Sequence, residues 1–146
     1  MTVHATAVAH RTAGGWQAVI LRGPSGSGKS DLALRLIRDL SWRLVGDDRV
    51  HLWRSGDGLY AAPAERLAGL LEVRHVGVMA VPYLTLARVA LVVACETPSE
   101  RLPEPDTETL AGLPITRLAL EATTASAPDR IRQALTGFEA RSRLEP

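Results

Sequence analysis

The chain has 146 residues, of which 46% are hydrophobic and 23% charged, which is typical of one soluble domain that buries its own core. The net charge of +1 gives no reason to expect nucleic acid as the main partner. Cys95 is the single cysteine, which excludes an intrachain disulfide and a cysteine-based zinc cluster, and its apolar neighbours predict a buried thiol. The sequence has no membrane-length apolar stretch and no signal-peptide pattern. We therefore expect no membrane association, a cytoplasmic location and a single domain over residues 1–146.

The predicted elements follow one another in a mixed order of strands and helices. Strands are predicted at residues 3–9, 16–21, 43–45, 50–54, 59–62, 71–73, 76–81, 87–94 and 115–120. Helices are predicted at residues 31–40, 65–70 and 128–141, and a loop rich in proline and charge at 97–107. This pattern has more strand than a simple βα alternation. It therefore predicts an α/β fold with a mixed sheet and antiparallel additions at its edges.

A phosphate-binding loop follows the second predicted strand. It is a complete Walker A motif, formed by Gly23, Pro24, Ser25, Gly26, Ser27, Gly28, Lys29 and Ser30. The glycines let backbone N–H groups approach phosphate oxygens, Lys29 can reach the outer phosphates, and Ser30 offers a hydroxyl to Mg²⁺. An apolar strand precedes the loop and an amphipathic helix follows it. Because the motif needs this context, we expect a nucleotide-binding site here.

Asp47 and Asp48 are the strongest candidates for the acidic part of such a site. Phosphoryl transfer needs a group that holds Mg²⁺ and a group that orients or deprotonates the acceptor. The two aspartates end a short apolar strand, and sites in open α/β sheets gather at strand carboxyl ends. Neighbours in an extended strand point to opposite faces, so only one of them would face the phosphates. A solvated Gly-Asp-Asp turn is the alternative that the pattern leaves open.

Three weaker candidates lie elsewhere in the chain. Glu72 and Arg74 would share one face of a strand, which suits metal binding and phosphate clamping but equally a surface pair on an edge strand. His4 lies in the first predicted strand, where a lone histidine is more often structural than catalytic. Arg101 lies in the proline-rich loop, where an arginine is usually a solvated charge.

The order of these motifs resembles the catalytic domain of bacterial HPr kinase/phosphorylase, and in particular the short, single-domain forms of alphaproteobacteria. The matching segments cover most of the chain and lie at residues 3–5, 23–30, 44–48, 70–77, 100–102 and 110–114. The Walker A motif is shared by many families. The Leu-Glu-Val-Arg sequence at 71–74, placed after an Asp-Asp pair and before an Arg-Leu pair, is much more specific.

The resemblance implies a fold, an activity and partners. The fold would be similar to the nucleotide-binding domain of phosphoenolpyruvate carboxykinase. The activity would be phosphorylation of a serine on HPr, the phosphocarrier of the sugar phosphotransferase system, with ATP or in many members pyrophosphate as donor and Mg²⁺ as cofactor. The family also removes the phosphate by phosphorolysis, and its members are homohexamers.

The same resemblance implies a role for each candidate residue. The catalytic residues would be His4, Lys29, Asp48 and Arg101. The Mg²⁺ ligands would be Ser30, Asp47 and Glu72. Lys29 would hold the transferring phosphate, and Asp48 would accept the seryl proton in the forward reaction and return it in the reverse one. Such proton transfer suits a carboxylate within hydrogen-bond reach of a hydroxyl nucleophile.

Two other functions remain open from the residues alone. A small-molecule P-loop kinase would usually carry an arginine-rich lid over the phosphates, and no such arginine cluster stands out. A non-catalytic nucleotide-sensing module would need only the phosphate-binding loop and a metal ligand, so it would not require Asp48, Glu72 and Arg101 together.

Overall fold

The computed structural model of the chain describes the backbone of residues 1–144 and the side chains of residues 1–136. The strands are β1 Thr2–His4, β2 Thr6–Thr12, β3 Gly15–Arg22, β4 Arg43–Gly46, β5 Arg49–Ser55, β6 Gly58–Pro63, β7 Leu70–Val73, β8 Gly77–Ala80, β9 Ala87–Cys95, β10 Asp106–Leu110 and β11 Leu113–Leu120. The helices are α1 Lys29–Leu40, α2 Ala127–Leu144 and a short 3₁₀ helix at Glu65–Leu67. Residues 145–146, which the predicted domain includes, lie outside the described residues.

Nine of the described strands form one sheet, and this sheet is mixed, as the sequence predicts. Its order is β1-β5-β6-β9-β3-β2-β4, and β11 also pairs with β9 and carries β10 at its outer edge. β3, β9 and β11 run parallel to one another, and the other pairings in this sheet are antiparallel. β7 and β8 form a separate two-stranded hairpin sheet. The carboxyl ends of β3, β9 and β11 therefore share one edge, where sites form in α/β sheets.

Apolar side chains alternate between the two faces of the central strands and form two cores. On β3, Val19 and Leu21 belong to the core that includes α1 and α2, whereas Ala18 and Ile20 belong to the core that includes β1, β5 and β6. This alternation follows from the two-residue period of a strand. The central strands are thus buried on both faces, and the phosphate-binding loop leaves from the carboxyl end of β3.

Helix α1 extends the predicted helix by two residues at its start. Its buried face consists of Leu32, Ala33, Leu36 and Ile37, at the helical spacing that the sequence shows. Ser41 caps its carboxyl end in a left-handed conformation with φ of 59°, and the N–H of Trp42 donates to the carbonyl of Leu36. This left-handed turn caps the carboxyl end of the helix.

Three predicted boundaries were wrong, and pairing explains two of them. The predicted strand 3–9 is broken at Ala5, because the chain changes partners from β5 to β3 there. The predicted loop 97–107 overlaps β10, a polar strand that pairs with β11 alone among the described strands and therefore lacks an apolar pattern. The predicted helix 65–70 is a 3₁₀ helix that ends at Leu67, and Leu70 already belongs to β7.

Candidate active site

The phosphate-binding loop joins the end of β3 to the start of α1. Gly23 has φ of 153°, and a Cβ added there would lie 2.7 Å from the hydroxyl of Ser27, so a larger residue does not fit. Gly28 precedes the helix with φ of 92°, in the left-handed region. The amine of Lys29 donates to the carbonyl oxygens of Gly23 at 2.5 Å and Pro24 at 3.1 Å. The lysine is thereby held across the loop whose N–H groups would cradle phosphates.

Asp47 is buried at the centre of a hydrogen-bond network beside this loop. Its Oδ1 accepts from the hydroxyls of Thr6 at 2.8 Å and Ser30 at 3.3 Å, and its Oδ2 accepts from the N–H of Glu72 at 3.1 Å. Since the Ser30 hydroxyl donates its hydrogen bond to Asp47, the lone pairs of the Ser30 oxygen are available to a cation. The network links β2, α1, β4 and β7 at one point.

Asp48 faces a different environment from its neighbour. Its backbone is left-handed, with φ of 67°, and its carboxylate oxygen Oδ1 lies 3.2 Å from Nδ1 of His4. Both side chains are exposed, at 60% and 63%. A non-glycine residue in this conformation is strained, and such strain clusters at functional sites. The chain turn at Asp48 therefore places one carboxylate inside, on Ser30, and the next outside, on His4.

Glu72 and Arg74 approach the same region from the β7–β8 hairpin. Glu72 is exposed, and its backbone N–H is fixed by Asp47. The guanidinium nitrogens of Arg74 lie 4.0 Å from the position that a Cβ on Gly26 would occupy, so they lie next to the phosphate-binding loop. No ion pair joins Glu72 to Arg74 among the described side chains.

Two residues differ from the rest of the candidate set. Arg101 is exposed in the segment between β9 and β10, and within the described part of the chain it makes no hydrogen bond or ion pair with another candidate. Cys95 is buried, as predicted. Burial raises the pKa of its thiol to about 11, against an opposing effect of Lys29 and with a further increase from Glu96. Cys95 is thus a protonated core thiol at neutral pH.

Sequence reasoning missed two polar residues that hold the site together. Thr6 is 1% exposed and is one of few buried polar side chains, but in the sequence it is only one position of an alternating strand. Arg35 of α1 donates to the carbonyls of Ala122 and, at 2.8 Å, Thr124, and so holds the turn after β11. The sequence around Arg35 does not predict this contact, because the turn after β11 is distant in the chain.

The donor set fits Mg²⁺ bound together with phosphates. Among the residues that the structure describes, no three His, Cys, Asp or Glu side chains gather as a metal cluster. Mg²⁺ usually keeps several waters and binds through one or two carboxylates plus substrate phosphates. The hydroxyl of Ser30 and the carboxylate of Asp47 beside a Walker A loop meet that requirement. No helix within the described range is long and apolar enough to cross a membrane.

Comparisons with known proteins bear on the same residues. A family model described as HPr Serine kinase C-terminal domain matches residues 3–86, a range that holds the Walker A loop, both aspartates and the β7–β8 hairpin and ends before Arg101. The HPr kinase/phosphorylase of Streptococcus thermophilus is 47% identical over 62 residues, which are 42% of this chain and 20% of that protein. The same enzyme of Streptococcus pyogenes is 44% identical over an equal length. The chain thus spans a small part of these curated relatives.

A solved structure matches nearly the whole chain. The HPr(Ser) kinase/phosphatase from Coxiella burnetii aligns with a TM-score of 0.80 over 98% of this chain and 99% of that one, at 20% identity. This likeness shows a shared fold, including the region beyond residue 86 that the family model does not reach.

Proposed function

The chain belongs to the family of HPr serine kinase C-terminal domains, and on this premise we propose that it transfers the γ-phosphate of ATP to a serine of the phosphocarrier HPr. One observation carries the proposal. Two adjacent aspartates at the end of β4 have separate partners, Ser30 of the Walker A loop for Asp47 and His4 for Asp48. Phosphoryl transfer to a hydroxyl needs these two functions side by side: a metal-holding carboxylate and a solvent-exposed carboxylate that the acceptor can reach.

The donor phosphates would bind along the loop at residues 23–30. Backbone N–H groups and the positive end of α1 would hold the phosphate oxygens, and Lys29 would turn from its carbonyl partners to the outer phosphates. Ser30, Asp47 and Glu72 would hold Mg²⁺, which when bound neutralises charge on the phosphates. Thr6 and the Glu72 N–H would orient Asp47 for this task.

Asp48 would act as the base. Its exposed carboxylate can accept the proton of the seryl hydroxyl as the serine Oγ forms its bond to the γ-phosphorus and the bond to the β-phosphate oxygen breaks, releasing ADP. His4 would hold the Asp48 carboxylate in position at 3.2 Å. Arg101 would stabilise transition-state charge, and since it has no hydrogen bond or ion pair with the other candidates among the described side chains, it would have to move toward them.

The reverse reaction uses the same groups. Protonated Asp48 would return its proton to the serine oxygen while an oxygen of inorganic phosphate bonds to the phosphorus, so that serine and pyrophosphate are released. By the same family resemblance we propose a fold similar to the nucleotide-binding domain of phosphoenolpyruvate carboxykinase, pyrophosphate as a second donor, a homohexamer and a cytoplasmic location, without nucleic acid or a membrane as partner.

Transfer of radiolabelled γ-phosphate from ATP to HPr tests the proposal. We expect Asp48→Asn to lower the rate by about 10²–10⁴-fold, the usual contribution of general-base catalysis, while ATP still binds. Lys29→Ala should lose both transfer and tight ATP binding. Asp57→Asn is the matched control, because Asp57 is almost fully exposed in the β5–β6 turn. Label that stays on ATP with wild-type protein, or an Asp48→Asn variant as fast as wild type, would contradict the assignment.

A further inference from the structure

A cleft opens beside the phosphate-binding loop at the carboxyl ends of β3 and β9. It has a volume of about 200 Å³ and is lined chiefly by Arg22, Gly23, Ala94, Glu96, Glu108 and Arg117. It adjoins a recess of about 460 Å³ formed by segment 96–106 and the end of β11, and Glu96 and Arg117 line both. Together they reach the size of small-molecule sites. The roles assigned above to the loop and the aspartates leave this cleft unused.

The cleft lies on the opposite side of the phosphate-binding loop from the metal-binding carboxylate. In the sheet, β4 with Asp47 is two strands from β3 on one side, whereas β9 and β11 are on the other side. The reacting end of the donor must lie beside Asp47 and Asp48, where the acceptor arrives. The rest of the donor therefore leaves the loop toward β9, where Gly23 borders the cleft.

The side chains of the cleft suit an uncharged ligand rather than a second phosphate. Arg22 is paired with Glu108 at 2.5 Å, and Arg117 with Glu96 at 3.3 Å and Asp106 at 3.7 Å. Acidic side chains outnumber basic ones, so an anion would be repelled. Paired guanidinium planes still offer a flat surface to a base, and carboxylates accept hydrogen bonds from sugar hydroxyls.

The walls of the cleft are tied to the phosphate-binding loop. Thr97 donates to the carboxylate of Glu121 at 3.0 Å, which joins the segment after β9 to the turn after β11. That turn is held by Arg35 of α1, and a Cβ on Gly28 would lie 3.3 Å from the methyl carbon of Thr123. A ligand spanning the loop and the cleft would thus meet one connected surface.

We propose that this cleft binds the nucleoside of the phosphoryl donor, with the base against the arginine planes and the ribose near Glu96. The proposal rests on the proposed kinase function, because that function sets the orientation of the donor along the phosphate-binding loop. Inorganic tripolyphosphate has the three phosphates of ATP but no nucleoside, so it would not contact the cleft. Wild-type protein should accordingly bind Mg-ATP more tightly than Mg-tripolyphosphate.

The Ala119→Phe variant tests the binding of the nucleoside separately from the binding of the phosphates. Ala119 is half-buried, lines the recess and pairs in the sheet with Ala94, which lines the cleft, so a phenyl ring there would occupy recess volume beside the cleft. By calorimetry we expect the variant to lose at least about tenfold in Mg-ATP affinity and to keep wild-type tripolyphosphate affinity. Ala13→Phe, in the exposed β2–β3 turn away from this edge, should change neither affinity.

The outcomes distinguish this proposal from the proposed function. An Ala119→Phe variant with wild-type ATP affinity, or one whose only defect is a raised KM for the protein acceptor, overturns the nucleoside assignment. A wild-type protein that binds ATP in the cleft but transfers no phosphate supports it and instead contradicts the kinase function. If Ala119→Phe does not fold, the test uses wild-type protein cross-linked to ATP that carries an azido group on the base. The cross-links should map to segment 96–119. Cross-links on the β7–β8 hairpin would overturn the proposal.

Discussion

Asp47 and Asp48 show how one backbone turn gives two neighbouring residues different chemistry. Asp47 is only 9% exposed, and its carboxylate accepts hydrogen bonds from three donors. The left-handed backbone of Asp48 instead turns its side chain outward to His4. The sequence predicts that only one aspartate faces the phosphates, and Asp47 lies on the Ser30 hydroxyl. The sequence could not predict the His4–Asp48 contact, because it depends on the pairing of β1 with β5.

Thr6 provides a test at this scale. Thr6→Val keeps the shape of the side chain but removes the donor to Asp47 Oδ1, so we expect a loss of about 1–3 kcal/mol in the free energy of unfolding. Because outer partners orient metal ligands, Mg²⁺ affinity in the presence of ATP should fall about 10–100-fold. Urea unfolding and calorimetric Mg²⁺ titration measure the two effects.

Thr6→Ser is the matched control for this substitution. It restores the hydroxyl, so it should recover most of the Mg²⁺ affinity while still costing some stability through the lost methyl group. If Thr6→Ser binds Mg²⁺ as weakly as Thr6→Val, packing rather than the hydrogen bond determines the effect, and the positioning role of Thr6 is wrong.

At the scale of elements, strong periodicity made α1 and the central strands predictable, and β10 shows where prediction fails. Asp106 to Leu110 is a polar edge strand, held by backbone pairing with β11 and by ion pairs such as Arg22–Glu108. Neither contact leaves a local sequence pattern. The candidate site was predictable where it depends on the Walker A motif, and unpredictable where distant elements meet, as at Arg35 and the turn after β11.

The contact between β2 and the segment after α1 gives a pH prediction. His10 stacks on Trp42 with ring centroids 5.0 Å apart, and burial, with a smaller effect of the Arg132 charge, lowers the His10 pKa below its ordinary value of 6.5. The unfolded chain therefore takes up this proton at higher pH than the folded chain. The stabilisation is complete above pH 6.5 and is lost as the pH falls from 6.5 toward the lower folded value.

Urea unfolding of wild-type protein and a His10→Gln variant measures this contribution. The free energy of unfolding should decline more steeply below pH 6.5 in wild-type protein than in the variant. Parallel curves for the two proteins would show that His10 is not the group responsible.

At the scale of the whole molecule, the sheet order explains how one edge can serve a complete reaction. Three parallel strands end at this edge; β4 brings the aspartates to it, and the β7–β8 hairpin adds Glu72 and Arg74 from a separate sheet. The mixed α/β class follows from the sequence, and the match to the Coxiella burnetii structure confirms the fold across the chain. The order of the strands could not be predicted from the sequence, because β9 pairs with β6, β3 and β11, which are far apart along the chain.

Mass spectrometry of HPr after incubation with this protein, Mg²⁺ and ATP tests the central claim most directly. The account predicts one added phosphate on a serine of HPr, absent with the Asp48→Asn variant, and its removal with release of pyrophosphate when excess inorganic phosphate is added. HPr that stays unmodified while the protein binds Mg-ATP would contradict the account.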